Sequence, residues 1–171
     1  MDVVLKSGKS DSLLWVDEKC ATHYWDKALN SYSCELTCQK NSNHLGWFAE
    51  EANSFYGTTH YMFAWVRALE PELIHISSLE LCMVAKHDLQ AYFRMTAGFS
   101  AGTPTGEIVK SLFSTERIAH VGALKIKQCN ICPEFPVNVI FPKDLLVQMS
   151  TWHRVYSRFD VRDALRMAKK I

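Results

Sequence analysis

The chain has no surplus of charge of either sign, and that absence narrows its partners first. Nineteen Lys and Arg stand against eighteen Asp and Glu in 171 residues, a formal net charge of +1. A chain so balanced does not coat nucleic acid as a histone does, so any contact with polyanions must be local. Nor is there an apolar run approaching the ~18–20 residues that span a bilayer, and the stretch "MDVVLKSGKSDSLLWVDEK" has no apolar core of signal-peptide length. A soluble, cytoplasmic protein with no membrane contact is expected. Internal repeats, low-complexity tracts and dividing linkers are all missing, which argues for one compact domain over 1–171.

What is present is a core. Hydrophobic residues make up 48% of the chain and aromatic residues 12%, enough to bury a sizeable interior. The six cysteines, Cys20, Cys34, Cys38, Cys82, Cys129 and Cys132, read as reduced thiols in a chain with no secretory signal.

"DVVLK" reads as a strand, and "SLLWVDEKCATHYWDKAL" fits helix and strand spacing equally. "NSYSCELTCQKNSNH" is loop-like, because Asn and Ser compete with the backbone for hydrogen bonds. "LGWFAEEANSFYG" reads as a short aromatic strand running into helical turns, "HYMFAWVRAL" as a strand ended by Pro71, and "LIHIS" as a second short strand. "SLELCMVAKHDLQAYFRM" is a helix candidate with Leu81, Val84, Ala85 and Leu89 on one face. "TAGFSAGTPTG" is a small-residue loop and "EIVKSLF" a short helix. "RIAHVGALKI" and "FPVNVIFP" read as strands, and the tail as helical. This irregular order favours α+β: a mixed, mainly antiparallel sheet with peripheral helices.

Several constellations could carry chemistry. Cys34/Cys38 and Cys129/Cys132 together offer four thiolates for a tetrahedral zinc site. Only the second pair has a common knuckle spacing, so free thiols are the preferred reading and no metal is expected. "LIHISS" resembles half of a two-histidine phosphoesterase site, but His75 has no second unit to face. "AHVGAL" resembles the histidine strand of NlpC-type cysteine hydrolases, with Cys20 as nucleophile and His120 as base; Cys20 lacks the small residues that follow the family's cysteine.

The remaining constellation surrounds Glu134, held between Pro133 and Pro136 at the start of an apolar run. Taken in order, "THYWDKAL", "LGWFAEEANSFYG" and "KIKQCNICPEFPVNVIFPKDLLV" resemble the His-Tyr-Glu ADP-ribosyltransferases of the DarT-like branch. The resemblance implies that NAD is a substrate and that a macromolecule, nucleic acid or protein, accepts the ADP-ribose. It implies that Glu134 is the catalytic carboxylate facing an oxocarbenium-like ribose. His23 would bind the adenosine ribose, and Trp47, Phe48, Phe55 and Tyr56 would wall the nicotinamide, Tyr56 by stacking. Tyr24 and Trp25 follow His23 where the family has small residues.

Arg154, Arg158, Arg162, Arg166 and Lys170 recur every four residues. On one helix over about 144–171 they would form a basic stripe able to hold nucleic-acid phosphates; Asp160 could cap a restarted helix and split it. The second function class is non-enzymatic: an interaction or inhibitor protein that blocks a partner by surface contact, with five Trp as anchors; a toxin or an inhibitor is the kind of protein either class would suit.

Overall fold

The computed structural model describes residues 2–6, 13–27, 29–37, 45–49, 57–112, 118–129 and 136–160. Two sheets and three α-helices make up this part of the chain. The strands are β1 (Asp2–Lys6), β2 (Leu13–Cys20), β3 (Ser31–Thr37), β4 (His60–Ala68), β5 (His75–Ala85), β6 (Ile118–Val121), β7 (Leu124–Gln128), β8 (Val137–Pro142) and β9 (Trp152–Asp160). The helices are α1 (Lys86–Thr96), α2 (Thr105–Leu112) and α3 (Lys143–Met149). The first sheet has the order β1-β2-β4-β5-β9 and the second the order β3-β8-β7-β6. Every pairing is antiparallel except β2 with β4. The architecture is α+β, with a mixed first sheet and an antiparallel second one.

The core lies between the sheets. Along β4, Tyr61, Phe63 and Trp65 alternate onto the inner face, and Cys82 and Val84 do so on β5. The second sheet answers with Cys34 and Leu36 from β3, Val139 and Phe141 from β8, and Leu124 and Ile126 from β7. Ring contacts tie the two layers: Tyr32 on β3 lies 5.3 Å from Phe63 on β4, and Phe48, in the segment between β3 and β4, lies 6.4 Å from Tyr61 and 5.5 Å from Phe141, centroid to centroid. α1 adds Leu89 and Phe93, α2 adds Ile108 and Val109. The hairpin between β6 and β7 turns at Gly122 with φ +57°, and a Cβ there would stand 2.5 Å from Thr96 Cγ2 on α1. Both the backbone angle and the packing demand glycine.

Four expectations about local structure need correction. "NSYSCELTCQK" is not a loop throughout: Tyr32, Cys34 and Leu36 alternate inward, and that period of two makes β3. The stretch from Ser78 to Ala85 is strand, because pairing with β4 on one side and β9 on the other outweighs the helix propensity of "LELCM"; the helix starts at Lys86. Trp47–Ala49 is a turn rather than a strand, held by the Gln90 side chain donating to the Phe48 carbonyl at 2.7 Å. The C-terminal basic helix is replaced, as far as residue 160, by α3 followed by β9. Trp152, Val155, Tyr156 and Phe159 suit a strand paired along β5 better than a helix.

Candidate functional site

At one end of the inter-sheet space a charged cluster interrupts the apolar core. β5 alternates Ile76, Ser78, Glu80, Cys82 and Val84 toward the second sheet, so Glu80 arrives on the inner face between Trp65 of β4 and Val155 of β9. Lys143, the first residue of α3, hydrogen-bonds Glu80 Oε2, and His153 Nε2 lies 3.0 Å from Oε1. The Lys143 ammonium also sits 5.0 Å from the Trp65 ring centroid, a cation–π contact. Burial works against ionisation of Glu80, but hydrogen bonds from Lys143 and His153 outweigh it and hold the carboxyl below its usual pKa. Two oxygens, two donors: Glu80 is satisfied.

This cluster closes the floor of a cleft of about 90 Å³. The loop that follows β2 forms its opposite wall. Tyr32 fixes that loop by accepting from the Ala21 amide and donating to the Ala64 carbonyl; further along, the Ala68 amide donates to the Trp25 carbonyl at 3.2 Å and the Lys143 amide to the Asn30 carbonyl at 2.8 Å. Beyond the shared wall of Ala21, Tyr24 and Leu29 lies an open groove of about 840 Å³, reached by Cys20, Lys127, Cys129 and Asn138.

The residues singled out from sequence fall in different places. Glu134, Phe55, Tyr56, Arg162 and Arg166 lie outside the described residues. His23 belongs to a single 3-10 turn at Thr22–Tyr24 after β2, not to a core strand. Phe48 is a correction. Its ring is 0% exposed, packed against Tyr61, Phe93 and Phe141, and no ligand can lie against it. Trp47 is 44% exposed, with the Lys19 ammonium 5.9 Å from its ring. Arg154 and Arg158 are exposed on β9, where a strand separates side chains differently from the helix on which the stripe was drawn.

The other constellations fare similarly. Cys20 lines the groove, but burial and the neighbouring Glu18 raise its pKa, the opposite of an activated thiol. His120 is exposed on β6, the strand of the second sheet farthest from β3, and does not line the groove. Cys34 is buried, its thiol pushed up to about 12 by burial, while Cys38 and Cys132 lie outside the described residues. Among the described residues no group of three or more His, Cys, Asp or Glu is placed to hold a metal ion. His75 faces Glu70, with Nδ1 3.3 Å from Oε1, in the turn before β5. No helix among the described residues is long and apolar enough to cross a membrane.

A second feature was visible only once the register was known. Val4 pairs with Trp15 across β1 and β2, and Leu13 shares their face, the same face that carries Asp17, Tyr61 and Phe63. Tyr61 and Phe63 are 1% and 0% exposed; Val4, Trp15 and Leu13 are 44%, 43% and 53% exposed. The core face of the first sheet therefore continues past the core, as an apolar overhang. Lys19, ion-paired with Asp17 at 2.8 Å and lying between the Trp47 and Tyr61 rings, marks the boundary.

Comparison with known proteins yields no match, whether to a protein-family model, a curated protein or a solved structure. The fold and these two sites thus define the chain at the level of its class: an α+β protein of two packed sheets with a charged inter-sheet cleft and an exposed apolar overhang. Glu80, Lys143 and His153 went unnoticed in the sequence because they come from three separate elements. One signal was available. Read as a strand, "ISSLELCMVA" places a carboxylate on the apolar-facing side.

Proposed function

We propose that the chain is an interaction protein, one that acts by binding a partner protein through the overhang of the first sheet. The observation that carries this reading is the exposed set Val4, Leu13 and Trp15 on a face that elsewhere is core. Contiguous exposed apolar residues mark contact surfaces, and Trp at the centre of such a patch is a typical energetic anchor. β1 is the outermost strand of its sheet, so an extended segment of a partner could add alongside it while its side chains meet Trp15 and Leu13. The raised thiol pKa of Cys20 and the internal position of Phe48 favour binding over the hydrolase and transferase expectations.

The test is site-specific photo-crosslinking in the cells that make the protein, with a photoreactive aromatic amino acid at position 15. One partner polypeptide should be captured, and Leu13→Ser with Val4→Ser should abolish capture while leaving the thermal midpoint unchanged. Capture that persists in the double variant overturns the reading. A melt with and without NAD runs beside it: stabilisation by NAD, lost in Glu134→Gln, would restore the transferase assignment instead.

A further inference from the structure

The inter-sheet cleft has a charge arrangement that surface binding does not use. Four of its residues come from the inner faces of two neighbouring strands as cross-strand pairs: Trp65 opposite Glu80, and Arg67 opposite Ser78. Lys143 and Lys27 enter from α3 and from the loop after β2. Glu80 is already matched by Lys143 and by His153. Arg67 and Lys27 have no carboxylate partner among the described residues, so two cationic side chains face one small concavity uncompensated.

We infer that this cleft is a binding site for a phosphoryl group, with Arg67 and Lys27 as the charge-bearing contacts and Ser78 as a neutral donor. The size fits: about 90 Å³ exceeds what a single water occupies and suits a compact anion. The charge fits too. Two unmatched cations suit a dianion better than a carboxylate, and a guanidinium presents paired N–H groups to phosphate oxygens. Lys143, held by Glu80 and by the Trp65 ring, shapes the floor without carrying the ligand's charge. The groove beyond Tyr24 can take whatever the phosphoryl group is attached to.

Titration calorimetry and thermal melts with inorganic phosphate, phenyl phosphate and acetate, against chloride at matched ionic strength, test this. Inorganic phosphate or phenyl phosphate should bind saturably and raise the midpoint, and phenyl phosphate alone would assign the site to phosphomonoesters. Arg67→Gln with Lys27→Gln should weaken binding at least tenfold without lowering the ligand-free midpoint, since both side chains are at the surface. The inference fails if neither phosphate compound binds at millimolar concentration, if acetate binds as well as they do, or if the double Gln variant binds like wild type.

Discussion

One face of the first sheet lives in two environments. Over β4 and β5 it is pressed against the second sheet, and Tyr61, Phe63, Cys82 and Val84 are buried. Over β1 and the start of β2 the same face carries Val4, Leu13 and Trp15 in contact with solvent. The residue types hardly differ between the two; the presence of an opposing layer does. An apolar alternation thus says which side of a strand is intended for contact, but not whether the chain itself or another molecule makes that contact.

The sharpest way to break the comparison is to remove one large ring from each region. Phe63→Ala should cost about 3–5 kcal/mol of unfolding free energy, because the void is walled by Tyr32, Tyr61 and Trp65 and cannot collapse freely. Urea denaturation measures it. An intermediate effect is expected where the buried face turns polar. Glu80→Gln removes charge from two hydrogen bonds and should cost roughly 1.5–3 kcal/mol at neutral pH.

The pH dependence of that difference has a definite sign. Glu80 is held below its unfolded pKa, so its charge stabilises the fold above the ordinary Glu value of about 4.3 and ceases to do so as pH falls through the lower, folded value. Wild type and Glu80→Gln should therefore converge in stability on acidification below about pH 4, and parallel curves would remove Glu80 from the ledger of stabilising groups. The smallest effect belongs to the overhang. Trp15→Ala should change unfolding free energy by no more than about 0.5 kcal/mol, as exposed positions do. A cost as large as that of Phe63→Ala would mean that the overhang is core after all.

Much of the fold was legible wherever one face of a strand is buried and the other is not. "FPVNVIFP" became β8 with Val137, Val139 and Phe141 inward, and "HYMFAWVRAL" became β4. The α+β class followed from the irregular order of such runs. Legibility failed where polar residues occupy the outward positions of a strand, as Ser31, Ser33 and Glu35 do on β3, and where a repeat of four between arginines happened to fall on β9. It failed again at the charged cleft, since Glu80, Lys143 and His153 become neighbours only through the pairing of β5 with β9 and the start of α3 after β8. The resemblance to ADP-ribosyltransferases placed Phe48 in a ligand wall, whereas its ring belongs to the interior.

The order of the strands has a mechanical consequence. The chain lays β1 and β2 in the first sheet, β3 in the second, β4 and β5 back in the first, β6 to β8 in the second, and β9 again in the first. It is laced rather than stacked. The chain crosses from one sheet to the other four times, so separating the layers works against four covalent connections, and any cut between β3 and β8 leaves strands of both sheets in each fragment. Cys34 and Cys82, one in each layer, both buried and with thiols raised to about 12 by burial, are built-in clocks for this lacing: an alkylating reagent should reach them together, at a rate set by the opening of the whole.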